Sequence, residues 1–335
     1  MIEVVDVFSC TGVLARGLVQ GGARVRSGFE IDPIRADHYR RNVSAPCVEG
    51  DVFDNLDEVA KYRGIDFALI CPPCAGFSSA GKRVAADPRN DLLRRTPELV
   101  ALLMPRWLLV ENVARTFHIG EMQATAERIA ALGYITHTAL TQLADYGLPQ
   151  MRQHSFIWAS LDGQRLEPPP VTHGERRHSG QLKLGLLPWV PCGAIVERGL
   201  PGMKIDVFAK LARRRHVPVR HIALLRRLYP GIEFTARTSG WNGHRAFNTV
   251  IVDPERDPLP RVTGSWNRSG DCLILDGPVV RYPVLSEGIK AQDIPEDWSL
   301  GPTKEHAWHQ IGDAVPVRFG RAVARMLGER AERVA

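Results

Sequence analysis

The chain has 335 residues, 44% of them hydrophobic and 24% charged, with no low-complexity tract or obvious internal repeat, so disorder is not the default reading and a large domain with a smaller inserted one is expected. The apolar stretches are strand-sized and the opening MIEVVDVFSC lacks a basic segment before a long apolar one, which argues against a signal peptide or membrane span and for a cytosolic protein whose six scattered cysteines stay thiols. A net charge of +6 permits a polyanionic partner without requiring one.

EVVDVF (3–8) reads as a strand, GVLARGLVQGG (12–22) as a helix ending in glycines, ARVRSGFEID (23–32) as a strand and PIRADHYRRN (33–42) as a helix opened by proline. DFALIC (66–71) and RWLLVENV (106–113) are buried strands, separated by a polar loop and the helical NDLLRRTPELVALLM (90–104). EMQATAERIAALG (121–133) is an amphipathic helix closed by glycine, leading into the strands YITHTALT (134–141) and SFIWAS (155–160). Strands alternating with helices predict an α/β fold, a Rossmann-like and mostly parallel sheet covered on both faces, with ligands at the carboxyl ends of the strands. At RLEPPPVTHGERRHSG (165–180) the periodicity collapses, and a smaller, irregular and basic unit follows. A helix after Pro316 is expected to bring the last segment back over the first sheet.

Three successive strand ends carry candidate ligand contacts. DVFSCTGVLARGL (6–18) passes from strand through a Gly-containing turn into a helix, although Gly12 and Gly17 do not complete a phosphate-cradling G-x-G-x-x-G. The second strand ends in Glu30, whose carboxylate can accept from both hydroxyls of a ribose, and the third ends near Asp51, which can accept from an exocyclic amine. For each of these alone, an ordinary turn residue is an equal alternative.

Cys71 and Cys74 fit a C-x-x-C spacing, but no second pair exists to complete a zinc site, and a redox pair stays open. Cys71 ends an apolar run and is expected in the sheet, whereas Cys74 lies past two prolines at the binding edge. PPCAGFSSAGKR (72–83) resembles the Pro-Cys nucleophile loop of the cytosine-5 DNA methyltransferases. DVFSCTG, FEIDP, GDV, ENV (111–113), YGLPQMRQH (146–154) and QIGDAVPV (310–317) follow in that family's order, so the resemblance covers nearly all of residues 1–160 and the last thirty or so.

The resemblance implies a class I methyltransferase domain over 1–165 and 300–335, with a target-recognition domain and its return segment over 166–299. It implies Cys74 as the thiolate that adds to cytosine carbon 6, and Glu111 in a dry pocket as the group that holds and protonates ring nitrogen 3. Arg152 anchors the base and the loop, and Ser78 supports the loop and its phosphate contact. The target base must be flipped out of duplex DNA, and Gly76, Gly81, Lys82 and Arg83 suit a loop that closes over it. S-adenosyl-L-methionine is the implied cofactor, held by Phe8 on its adenine, by Ser9, Cys10, Thr11 and Gly12, by Glu30 and Ile31, by Asp51 and Val52, by Pro72, and by Asp313, Ala314 and Val315; no metal is implied. The implied setting is a monomer, cytoplasmic and nucleoid-associated, acting on double-stranded DNA, with a cognate restriction endonuclease as a further partner.

Five positions depart from the family pattern, one of them Ala75, which replaces the glutamine common after the cysteine and is expected to matter little. Cys10 and Val13 stand where more glycine is usual, so a tighter or shifted cofactor loop is expected. The Gln-x-Arg-x-Arg motif appears as Gln150, Arg152 and His154, so the second arginine, which contacts the cytosine carbonyl oxygen, is replaced by a residue that donates one bond at most, and activity sensitive to pH between 6 and 8 follows. Asp313 replaces an asparagine beside the sulfonium end and points to a cytosine alkyltransferase with a modified donor as a second reading. An RNA cytosine-5 methyltransferase is a third, weakened by the missing Cys-Phe-Thr tripeptide, and a DNA-binding relative without catalysis is a fourth. Arg213, Arg214, Arg215, Arg226 and Arg237 are expected mainly at phosphates or in solvent, and His173 and His178 have no metal partners in the sequence.

Overall fold

A computed structural model describes residues 1–74, 89–175, 185–203, 216–233, 235–237, 250–263 and 272–334. Among these, β1 (Glu3–Val7), α1 (Val13–Gln20), β2 (Arg24–Glu30), α2 (Pro33–Val43), β3 (Cys47–Glu49), α3 (Leu56–Ala60), β4 (Phe67–Ile70), α4 (Asn90–Leu103) and β5 (Trp107–Val113) alternate as predicted. After α5 (Ala114–His118) and α6 (Glu121–Ala130) come β6 (Ile135–Gln142) and β7 (Gln153–Ser160). Seven strands form one sheet in the order β3-β2-β1-β4-β5-β7-β6. β1 to β5 run parallel, and β7 runs antiparallel to both of its neighbours. The link from β6 to β7 has no crossover helix, so it can only close a hairpin, which reverses β7.

The apolar runs are continuous because both faces are buried. Along β1, β4, β5 and β7 the residues Val5, Ala68, Leu108 and Ile157 face one core with α4 and α6, while Val4, Phe67, Trp107 and Phe156 face the other with α1 and the C-terminal helix. This is the period of two expected of strands covered on both sides. Asp32 caps α2 by accepting from Ile34 N at 2.8 Å and Arg35 N at 3.2 Å, with Pro33 in the first helical position.

The helix Val317–Val334 returns over the sheet as expected and packs on α1. Gly17 and Gly320 permit that contact, because a Cβ on Gly320 would lie 2.4 Å from Leu14 O and one on Gly17 would lie 2.1 Å from Val317 O. The second unit is more regular than its sequence suggests: strands Val250–Val252, Cys272–Asp276 and Val279–Arg281 form a small sheet beside the helix Val219–Leu228. A shared core crosses the expected breaks near 165 and 300, joining Cys192, Val252, Ile274 and Trp298 to Val13, Trp308 and Ile311. Among the described residues no helix is long and apolar enough to cross a membrane.

Candidate active site

The loop after β1 is the first component. Phe8 (φ 59), Cys10 (φ 49) and Gly12 (φ 84) all adopt left-handed backbone. Cys10 therefore adopts a left-handed backbone that glycine takes freely, at a cost of about 1–2 kcal/mol for a residue with a Cβ. Val13 opens α1 and needs no such freedom. Gly12 serves packing, since a Cβ there would meet Val43 Cγ2 at 2.2 Å.

Glu30 binds this loop to the next strand end. Its Oε2 accepts from Cys10 N at 2.8 Å and its Oε1 from Asp32 N at 3.0 Å, leaving each oxygen a further lone pair for a ligand hydroxyl. Ile31 is exposed beside it. Asp51 Oδ1 accepts from Phe53 N at 2.9 Å, and Val52 is buried in the core. The cleft between these strand ends is lined by Phe8, Ser9, Cys10, Thr11, Val13 and Leu14, by Asp6, Leu69, Cys71 and Glu111, and by Asp313, Ala314 and Val315. That lining has three carboxyl residues and no lysine or arginine. Burial pushes the Asp6 carboxyl up to about 8 and Asp313 is paired with Arg35, so the cleft carries less charge than three carboxyls suggest, but with no cation in its lining it disfavours the phosphates of a dinucleotide and suits a cation with an apolar ring. Thr11 is buried with its hydroxyl unpartnered among the described residues, a polar atom available to a ligand in the cleft.

The inner end of the cleft holds a buried chain of hydrogen bonds. His154, at the start of β7, faces Glu111 on β5 because those strands pair antiparallel with Val113 opposite His154. His154 Nδ1 bonds Glu111 Oε1, and its Nε2 lies 2.7 Å from Arg152 Nε. A guanidinium nitrogen can only donate, so Nε2 accepts and the single imidazole proton sits on Nδ1, pointing at Glu111. Burial pulls the His154 pKa down to about 4, with Glu111 opposing and Arg152 reinforcing the shift. One expectation is thereby corrected: in this arrangement His154 has no ring N–H left for the cytosine carbonyl oxygen, and its lowered pKa argues against the pH sensitivity between 6 and 8 expected of it.

Arg152 acts as a clamp. Besides His154, its Nη1 donates to Val262 O at 2.9 Å and its Nη2 to Gly312 O at 2.8 Å. Burial, then the neighbouring Arg261, lowers its pKa, yet it stays a cation at neutral pH. Gln150, read only as part of a motif, is wholly buried and bonds Ala291 O at 2.6 Å and Gln292 Oε1 at 2.9 Å.

Cys74 stands at the end of the described β4 loop, partly buried against the core. Burial pushes its thiol up to about 12, the charge of Asp313 adds to this, and Arg261 opposes it. Burial thus favours the thiol form, and the ionisation expected for attack needs the arrival of substrate or a base. Pro72 is buried, and its carbonyl accepts from Asn112 Nδ2 at 3.0 Å. Asn112 thus ties the strand of Glu111 to the loop of Cys74, a role no pattern in ENV signalled.

Asp313 ends the helix Lys304–Asp313. Its Oδ2 accepts from Arg35 Nη2 at 3.3 Å, and Arg35 Nη1 reaches Cys10 Sγ at 3.4 Å. The carboxylate is paired, which weakens the case for a modified donor: two departures from the family pattern meet one guanidinium that sequence reading overlooked. Ser78, with Ala75, Gly76, Gly81, Lys82, Arg83, His178, Arg213, Arg214 and Arg215, lies outside the described residues. Arg226 is exposed on the helix Val219–Leu228, and the side chain of Arg237 is outside the described set. His173 sits beside Thr172 rather than at a ligand cluster.

Comparison with known proteins agrees with this geometry. The chain is 32% identical to the type II methyltransferase M1.HphI of Haemophilus parahaemolyticus over 57% of its own length and 54% of that protein's. It is 28% identical to M.AgeI of Thalassovita gelatinovora over 53% of its length and 44% of that protein's, so it spans about half of these two relatives. With M.XorII of Xanthomonas oryzae pv. oryzae it is 31% identical over 95% of its length and 82% of the relative's. In fold it is similar to the Entamoeba histolytica methyltransferase EhMeth, with TM-score 0.67, 13% identity and 99% of both chains covered. The model of the C-5 cytosine-specific DNA methylase family matches residues 2–186, more than half of the chain, and the chain belongs to that family.

Proposed function

We propose that the chain methylates carbon 5 of cytosine in double-stranded DNA, with Cys74 as nucleophile and Glu111 as the group that protonates ring nitrogen 3. The observation that carries this is the convergence of Cys74, Glu111 and the acidic cleft at the carboxyl edge of one sheet. Cys74 Sγ gives up its proton to solvent water and adds to carbon 6 of a base flipped from the duplex while Glu111 protonates nitrogen 3, and the ring becomes nucleophilic at carbon 5. Because His154 donates to Oε1, the proton of Glu111 belongs on Oε2, the oxygen left to face nitrogen 3. S-adenosyl-L-methionine supplies an electrophilic methyl group when bound. Glu30 suits its ribose, Phe8 its adenine and the acidic lining its positive charge. Removal of the carbon 5 proton then lets Cys74 leave. DNA is the partner this chemistry requires, and the names of the type II relatives suggest a restriction endonuclease beside it.

The test is methyl transfer from labelled S-adenosyl-L-methionine to unmethylated plasmid and, in parallel, to transfer RNA. Plasmid labelling as 5-methylcytosine is expected, together with a covalent adduct on duplex containing 5-fluorocytosine. Cys74→Ser should abolish the adduct; adduct formation by that variant, or labelling confined to RNA, would overturn the reading.

A further inference from the structure

The chemistry proposed above leaves one site of developing charge unanswered. When sulfur adds to carbon 6, electron density moves to ring nitrogen 3 and, through conjugation, to the carbonyl oxygen at position 2. Glu111 answers the nitrogen. Beside it both ring nitrogens of His154 are committed, and the Arg152 guanidinium, just before β7, already gives one N–H from each of its three nitrogens to His154, Val262 or Gly312.

A cation arrives instead from the second unit. Residues 259–262 lie along 149–152: Leu259 N donates to Pro149 O at 2.7 Å, Met151 N to Leu259 O at 2.6 Å, and Val262 N to Gln150 Oε1 at 3.3 Å. Val262 O is held by Arg152. Arg261 is therefore flanked by backbone bonds to the strand that carries Arg152 and His154. Its charge acts on Cys74, Arg152 and His154 together. Its Nε is buried and has no partner among the described residues. A buried donor without an acceptor is costly to maintain, and substrate would provide the acceptor.

We propose that Arg261 is a catalytic residue, donating to the carbonyl oxygen at position 2 of the flipped pyrimidine and lending its positive charge to the adding sulfur. It takes the place left open at residue 154, and the inference rests on the cytosine-5 reading. The general consequence is that His154 and Arg261 form a functional pair, one orienting the acid and the other holding the oxyanion.

The experiment uses the full chain, unmethylated plasmid for kcat and KM, and a polymerase-made duplex carrying 5-fluorocytosine throughout for the rate of adduct formation. Arg261→Met should lower kcat and the adduct rate about 100-fold, with DNA affinity and melting temperature close to wild type. Arg261→Lys should recover part of the loss. His154→Arg placed in the Arg261→Met background should restore at least about tenfold of the rate, because a guanidinium returns to the oxygen from the other side; a merely structural role of Arg261 would not be rescued in this way. An unchanged kcat, a loss seen only in DNA affinity, or no rescue by His154→Arg would overturn the proposal. If wild type forms no adduct, the cytosine-5 reading falls and takes the proposal with it. If wild type and Arg261→Met form adduct equally fast, only the role of Arg261 falls.

Discussion

A histidine held between a carboxylate and a guanidinium carries its ionisation into the stability of the fold. Folded His154 binds its second proton only near pH 4, whereas in the unfolded chain it does so near the ordinary value of 6.5. Between those values the unfolded chain takes up more protons, so stability rises with pH across the window and is lost as pH falls from 6.5 towards 4, by about 3 kcal/mol in all. Urea denaturation at pH 7 and pH 4.5 should show a clearly smaller acid loss in His154→Asn than in wild type. Equal losses would mean that the imidazole is not held neutral. At the other end of the cleft, next to the proposed donor site, Asp313→Asn removes one of the two carboxylates beside the Arg35 guanidinium, which keeps Asp32 Oδ2 at 3.9 Å. Both partners are partly exposed, with Arg35 at 30% and Asp313 at 50%, so the effect should be modest. Titration calorimetry should show S-adenosyl-L-methionine weakened up to about fivefold relative to its neutral product, with the ratio returning in an Arg35→Gln, Asp313→Asn double variant. A ratio that does not move would leave the ion pair without influence on the cleft.

At the scale of elements, the close crossing of α1 and the C-terminal helix depends on missing side chains. Gly320→Ala would drive a Cβ to 2.4 Å from Leu14 O, a backbone atom that cannot rotate away, so the helices must part. A loss of about 1–3 kcal/mol is expected by chemical denaturation, and a neutral result would show that the helices slide freely. The helix itself was legible because Pro316 starts it and apolar residues recur at helical spacing. β1, β2, β4, β5, α1, α2 and α4 were legible for similar local reasons, namely period, caps and flanking glycine or proline. The helix Lys304–Asp313 was not, since KEHAWHQIGD reads as a motif and its apolar face is set by Trp298 and the small sheet of the second unit. The reversal of β7 was also hidden, because a strand's direction is written in the length of its connection and not in its own residues. The site divides in the same way. Glu30, Cys74 and Glu111 stand at strand ends that periodicity locates. Arg35 and Asn112 instead reach Asp313 and Pro72 across 278 and 40 residues of chain, and Arg261 arrives by docking of another segment, which no local pattern records.

For the whole molecule, the issue is whether two units behave as two folding domains. The core around Trp308 contains Val13 and Ile311 from the methyltransferase half and Cys192, Val252, Ile274 and Trp298 from the other. Gln150 and Gln292 add a buried polar tie between the halves, with Gln292 Nε2 donating to Ile311 O at 2.7 Å. Separating the halves would expose this apolar core to water and break hydrogen bonds that have no replacement inside the protein. The cores on the two faces of the sheet belong to the methyltransferase half alone, but the second unit's main core is completed by Val13, Trp308 and Ile311, and cooperative unfolding follows from that dependence even though chains of this length often unfold in steps. Far-ultraviolet dichroism reports the seven-stranded sheet, and the difference in tryptophan fluorescence between wild type and Trp308→Phe reports the shared core. The two signals should fall together at a single denaturant midpoint. Separate midpoints, with the Trp308 signal lost first, would show that the second unit detaches while the sheet stays folded, and Arg261 would then reach the active site only in the docked fraction of molecules.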